Sequence, residues 1–242
     1  HATEARTQRV RVLRKVGRDI DPRWAKSLES YAGRLRWHCH FMQKLESEPR
    51  LEFHNVNRAF DGMREDAFDA RKFSAWCSGN TGFPMVDACM RALRQSGWIN
   101  FRMRAMLMSF ASYQLWLHWR PTAVFLAQHF LDFEPGIHFT QAQMQAGVTG
   151  INTIRIYSPK KQQLDQDPSG VFVRKYLPQL ANVPDKYLTE PHLMPLSVQS
   201  EANCRIGIDY PKPVIDHGKA YKDAKAKVGS WRRTRSARSE AK

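Results

Sequence analysis

The chain has 242 residues, and 38 Lys and Arg against 23 Asp and Glu leave a net charge of +15. That length holds one sizeable core or two small domains, and 42% apolar residues with 13 Gly and 13 Pro exclude a disordered or collagen-like chain. The charge favours phosphate-rich partners or anionic surfaces through counterion release, with a solvated basic surface as the plain alternative.

Residues 1–18 form a basic, helix-prone opening that ends at Gly17. Asp21-Pro22 reads as the cap and first position of a long helix with an apolar stripe of Trp24, Leu28, Tyr31 and Leu35, ended by Pro49. His38, Cys39 and His40 within it do not converge on a metal, because consecutive helical residues point about 100° apart. No metal site is expected. Residues 50–75 are a connector with a short helix around Arg64 to Ala75.

Thr81-Gly82-Phe83-Pro84 then reads as a loop with proline at a first helical position. Val86, Cys89, Met90 and Leu93 recur at helical spacing until Ser96-Gly97 supplies a left-handed stop. A second helix is expected from Asn100 to about Trp119, apolar on all sides and so buried in the middle of a domain. Arg102 and Arg104 in its first turn would then need anionic partners. Asp132 and Glu134, just past a helix over Val124 to Phe130, are the nearest candidates, and an Arg–Asp pair there serves either structure or a cofactor.

A loop, a helix and a Gly-containing turn follow from Leu131 to Pro159. Asp167-Pro168-Ser169-Gly170 caps a helix of sequence VFVRKYLPQL, which Pro178 limits, and Pro184 to Tyr210 is polar and irregular. From Lys219 onward the chain reads as a basic, flexible tail, a helix fraying into disorder. No strand and no repeat is evident, so the fold class is all-α. Cys39, Cys77, Cys89 and Cys204 are spaced neither as pairs nor as CxxC, which suits free thiols in a reducing compartment. Arg102 and Arg104 interrupt the best hydrophobic stretch, and no signal peptide is evident. A cytoplasmic protein is expected. A first residue other than Met suggests that an upstream portion is not represented.

The pattern G-x-TG-x-P-x-VDA-x-MR-x-L…GW-x-N-x-R-x-R, with RLRWHCHFMQKLESEP before it and DYPKPVIDH after it, resembles the FAD-binding helical domain of the photolyase/cryptochrome family. The resemblance covers residues 1–218 as one such domain, with 219–242 as the tail. It implies FAD as cofactor and blue-light-driven DNA repair, with electron transfer from reduced FAD to a pyrimidine lesion in damaged or single-stranded DNA. A cryptochrome-like light or redox sensor, or a non-catalytic scaffold keeping the fold, are the alternatives.

By the same resemblance Arg104 pairs with Asp132 beside the isoalloxazine, and Glu134 approaches the ribityl or adenine side. His138 faces flavin N5, while Tyr31, His38 and Trp98 line the pocket. Trp37, Arg102 and Arg155 fall on positions that stack against or grip a lesion-bearing strand. The residues by themselves equally allow His138 as a loop histidine and Trp37 as a core aromatic.

The sequence also departs from the family pattern. Arg34 stands for the glutamate of cyclobutane-dimer photolyases, Phe101 and Ala105 for their pocket Asn and Met, and Met144 for their second pocket Trp. Of the three-tryptophan chain, Trp119 matches the middle member, Ala142 stands at the flavin-proximal place, and Asp66 to Ala67 lack the outer one. The four cysteines do not match the iron–sulfur spacing of some relatives. The family's Ser/Thr-rich phosphate-binding loop and its antenna domain precede the region matching residue 1. Without that loop FAD would lose several charge-assisted hydrogen bonds of about 1.5–3 kcal/mol each, so an upstream domain or partner chain is expected to complete the site.

Overall fold

In the computed structural model, residues 2–16, 21–150 and 154–233 are described. The chain divides into two compact units, one of His1–Arg50 with Pro135–Ile137 and one of Leu51–Glu134 with His138–Lys242. The described residues contain twelve α-helices and no named strand, as the sequence implies.

The first unit consists of α1 (Ala2–Lys15) and α2 (Pro22–Ser47), with the first residues of α7 (Pro135–Ala146). Asp21 caps α2 as expected, its carboxylate accepting from the Arg23 backbone N–H at 2.9 Å. Trp24, Tyr31 and Leu35 of the expected stripe are exposed. Gly136 passes close to the backbone of α2, where a Cβ would meet the Phe41 carbonyl oxygen at 2.7 Å. Gly17, the expected end of α1, lies outside the described residues.

The second unit carries the core. Its helices are α3 (Ala70–Ser78), α4 (Pro84–Ser96), α5 (Phe101–Ser109), α6 (Trp119–Ala127) and the rest of α7. Then come α8 (Pro159–Gln166), α9 (Val171–Tyr176), α10 (Asp185–Leu188), α11 (Leu196–Glu201) and α12 (His217–Arg232). At the centre lies α4, packed against α3, α5, α8 and α9. Met85, Ala88 and Ala92 are buried along with the expected Val86, Cys89, Met90 and Leu93, so the helix is covered on nearly every side.

The start of α4 is fixed by a buried carboxylate. Asp87 accepts from Thr81 N–H (2.8 Å), Thr81 Oγ1 (2.6 Å), Gly82 N–H (3.0 Å) and the Tyr210 hydroxyl (2.7 Å). Gly82 is required there: at φ 78° a Cβ would lie 2.5 Å from Pro213 N. Complete burial pushes the Asp87 carboxyl up from its ordinary range, and the four donors pull the other way.

The long helix expected from Asn100 to Trp119 is interrupted. After α5 the chain makes a π turn over Phe110–Gln114, with Leu115 N–H donating to Phe110 O at 3.0 Å and Leu117 N–H to Ala111 O at 2.9 Å. Trp116 then takes the left-handed region at φ 57°, which is rare for so bulky a residue. Its ring is met by two cations, the Arg64 guanidinium at 4.6 Å and the Lys227 ammonium at 4.7 Å. Hydrophobic periodicity does not register such a break, because the residues stay apolar through it.

Other boundaries shift. A 3₁₀ turn over Glu65–Ala67 and α3 replace the single helix expected around Arg64 to Ala75. Helix α6 begins at Trp119 rather than Val124, with the His118 side chain accepting from Arg120 N–H. Asp167 does cap α9, through Phe172 and Val173 N–H, and that helix stops at Tyr176, just before the limiting Pro178. Short helices α10 and α11 occupy the stretch expected to be irregular. The expected boundary at 218–219 falls in the first turn of α12. Ala224 and Val228 of that helix are buried in the core, and Trp231 Nε1 donates to Ala59 O at 2.6 Å, so packed structure continues past residue 218. Residues 234–242, the expected frayed end, lie outside the described residues.

Candidate functional site

The best-formed polar constellation stands where α4 ends and α5 begins. Gly97 stops α4 in the left-handed region at φ 69°, and its carbonyl accepts from Leu131 N–H at 3.0 Å. A Cβ on Gly97 would run into the Leu131 side chain, so glycine lets the 128–134 loop close on this corner. Asn100 caps α5 by accepting from Met103 N–H at 3.1 Å.

One turn into α5, Arg104 is held from three directions. Its Nε donates to Ile99 O at 2.8 Å, its Nη2 to both oxygens of Asp132 at 3.0 and 2.9 Å, and its guanidinium carbon lies 4.0 Å from the Phe130 ring centre. The pair expected from sequence is therefore present. It is not buried, however: the Asp132 side chain is 51% exposed and that of Arg104 24%. Arg102 is exposed and not buried as its place in an apolar helix suggested, because the first residues of α5 lie at the surface.

The same corner carries exposed apolar groups. Trp98 is 56% and Phe101 57% exposed, and Leu131 is 86% exposed. Side chains of this size left in water beside a rigid ion pair mark a binding surface rather than a core.

His138 lies on α7 rather than in a loop. Its ring is surrounded edge-on by Phe130, Phe133 and Phe139, and Nε2 lies 2.8 Å from Ala123 O. A carbonyl only accepts, so Nε2 carries the proton and, in the neutral ring, Nδ1 holds the lone pair. Burial lowers its pKa; the Ala123 carbonyl and Asp132 oppose the shift, and Arg104 adds to it. Glu134 stands at the cap position of α7, and its carbonyl accepts from His138 N–H at 2.8 Å.

Tyr31, Trp37 and His38 belong to the first unit, on α2. Tyr31 and His38 are two turns apart and share a face. Trp37 is not a core aromatic. It is 60% exposed and lies against Phe41, with centroids 5.7 Å apart and planes 29° from parallel. Arg155 is also exposed, and its carbonyl accepts from Ser109 Oγ at 3.1 Å.

Trp119 is buried, with Nε1 donating to Asn55 Oδ1 at 2.7 Å. Ala142 is buried too. Sequence reasoning missed Phe130 beneath the guanidinium, the Ile99 and Ala123 carbonyls, and Asn55. Backbone acceptors leave no trace in side-chain pattern; Phe130, two places before Asp132, is the one with a readable signal. It also missed Arg64, a buried guanidinium whose Nε and Nη2 lack partners and whose pKa burial lowers to about 10. Among the described residues no His, Cys, Asp and Glu cluster suits a metal ion, and no helix is long and apolar enough to cross a membrane.

Sequence and fold both match known proteins. The family model for the FAD binding domain of DNA photolyase matches residues 31–230. A deoxyribodipyrimidine photo-lyase of Alkalihalophilus pseudofirmus is 32% identical over 202 residues, 82% of this chain and 42% of its own. Cryptochrome-2 of Gallus gallus is 31% identical over 208 residues, 85% of this chain and 35% of its own. The crystal structure of a bacterial class III photolyase from Agrobacterium tumefaciens superposes with a TM-score of 0.79 at 29% identity, over 87% of this chain and 44% of that one. The chain thus spans less than half the length of these relatives.

Proposed function

Because the chain belongs to the family of the FAD-binding domain of DNA photolyase, we propose that it holds FAD against the Arg104–Asp132 pair and serves blue-light-driven repair of a pyrimidine lesion in DNA. The observation that carries this reading is the three-way clamp on Arg104 beside a half-exposed carboxylate. A surface ion pair by itself contributes little to stability, so such rigid placement suits a partner that binds there.

The residues fit a flavin. A fixed guanidinium offers donors and positive charge, Asp132 offers an acceptor, and the neighbouring aromatic side chains offer faces for a flat heterocycle. Excited reduced FAD, when bound, supplies an electron to the lesion and receives it back. In this reading Arg104 favours the anionic reduced ring by its charge, and Asp132 keeps the guanidinium oriented. His138 stays neutral at pH 7 and presents its Nδ1 lone pair, held by the Ala123 carbonyl. In this reading Trp98 and Glu134 serve FAD binding at the same corner, and the resemblance assigns FAD contact to Tyr31 and His38 of the first unit as well. Trp37 stacks a lesion base, while Arg102 and Arg155 neutralise adjacent phosphates. The protein works in the cytoplasm.

A cryptochrome-like sensor is the second reading, favoured by specific residues. Ala142 stands at the flavin-proximal tryptophan place, and Arg34, Phe101 and Ala105 replace dimer-contacting residues of the cyclobutane class. The visible absorption spectrum before and after denaturation, followed by a light-dependent repair assay, separates the readings. Released FAD with repair supports the first, and FAD without repair supports the sensor. A colourless protein that takes up no added FAD means that this chain is half of a site, or a scaffold that has given it up.

A further inference from the structure

Helix α12 is held firmly on one side. Ala224 and Val228 are buried in the core, Lys227 Nζ lies 4.7 Å from the Trp116 ring centre, and Trp231 Nε1 donates to Ala59 O at 2.6 Å. At about 100° per residue, Lys219, Lys222 and Arg233 fall opposite Ala224 and Val228, with Ala226 and Ser230 beside them and Lys225 on the flank. All six are exposed. Among the described residues none of the four cations makes an ion pair, and neither does Asp223, the one acid within the helix.

The needs of the helix itself do not account for this face. Lys219 and Lys222 stand in its first two turns, where the positive end of the dipole disfavours cations, and its first turn contains no acid. Lys219, Lys222 and Lys225 succeed one another three places apart, near enough for like charges to repel. A charged face built only for solvation carries acids and cations interspersed. A rigid helix whose outer residues work against its own stability is arranged for something outside the chain.

We propose that the outer face of α12 docks the phosphate backbone of double-stranded DNA, undamaged duplex included. The helix has 16 residues and so runs for about 24 Å, a length over which one DNA strand presents about seven phosphates. Ala226, Gly229 and Ser230 keep the middle of the face low, so the strand comes close between the lysines and Arg233. Each cation neutralises a phosphate and releases a counterion, without reading sequence. A membrane surface is the poorer match, because an interfacial helix needs large apolar side chains beside its cations, and the apolar side of α12 is buried in the core. The surface uses none of the residues assigned to the flavin or the lesion, so it stands or falls apart from that reading.

The test is fluorescence-anisotropy titration of the whole chain with an undamaged duplex of about 20 base pairs, from about 50 to 200 mM salt. Joint replacement Lys219→Gln, Lys222→Gln and Lys225→Gln removes three charges while keeping good helix formers. It should lower the slope of log affinity against log salt by about 2–3 and weaken binding at about 100 mM salt at least about tenfold. Lys161→Gln, Lys175→Gln and Lys186→Gln together remove the same charge from exposed positions on α8, α9 and α10, and should change affinity less than about twofold. Arg233→Gln alone should lower the slope by about one, and it decides the matter if the triple variant fails to fold. Equal weakening by the two triple variants would show that net charge alone governs binding and overturns the proposal. So does duplex binding that the α12 variants leave unchanged, or a chain that prefers vesicles of phosphatidylserine and phosphatidylcholine to the duplex.

Discussion

Asp132→Asn separates a structural from a cofactor-binding role for the central ion pair. The carboxylate is 51% exposed and Arg104 keeps two other supports, the Ile99 carbonyl and the Phe130 ring. Exposed pairs contribute up to about 1 kcal/mol, so urea unfolding should change by no more than that. If Asp132 orients the guanidinium for a flavin, the substitution weakens a charge-assisted hydrogen bond worth about 1.5–3 kcal/mol, which is about 10- to 150-fold in FAD affinity. The assay is titration of the flavin-depleted protein with FAD by fluorescence quenching, with unfolding curves recorded alongside. Unchanged FAD affinity on an intact fold would refute the assignment. A loss of more than about 3 kcal/mol in stability would show that the pair is a structural element instead.

Three further outcomes are expected. Tyr210→Phe removes one of four donors to the buried Asp87 and should cost about 1.5–3 kcal/mol, lowering Tm by about 3–12 °C; a shift under 1 °C means the hydroxyl is dispensable. His138 and His217 both have pKa values depressed by burial, so the unfolded chain binds more protons below about pH 6.5 and stability must fall as the pH drops through that region. His138→Gln should flatten that decline between pH 7 and 5, and an unaltered slope would show that His138 does not titrate with folding. Trp37→Ala should weaken single-strand or damaged-DNA binding about 5- to 150-fold while costing less than about 1.5 kcal/mol in stability, with equal affinity in a gel-shift titration ruling out a stacking role.

Much of this arrangement was legible because it follows from local rules. Asp21, Pro84, Gly97 and Asn100 end or begin helices through their own side chains or backbone freedom, and each does so in the structure. The need of Arg104 for an acid was readable from its apolar surroundings, although the pair proved half-exposed. What escaped notice depends on partners distant in sequence. The π turn and the left-handed Trp116 are stabilised by cations from Arg64 and Lys227, about which the intervening residues say nothing. Ala224 and Val228 are only two small apolar residues in a lysine-rich run, so α12 read as a tail until the core was seen to reach it. The protonated nitrogen of His138 is chosen by a backbone carbonyl on another helix.

Asp87 has a consequence for how the molecule is made. Its fourth donor, Tyr210, lies 123 positions further along the chain. While synthesis has passed α4 but not yet reached Tyr210, the carboxylate has only the Thr81 and Gly82 donors, and full burial then carries a penalty. Full satisfaction of the Asp87 carboxylate therefore waits for the later segment, and closing a loop of that length has an entropic cost. A nascent chain stalled before residue 210 should expose α4 to proteases and chaperones, and one stalled well beyond it should not. The same carboxylate that fixes a helix start in the finished protein thus ties that start to a residue made 123 positions later.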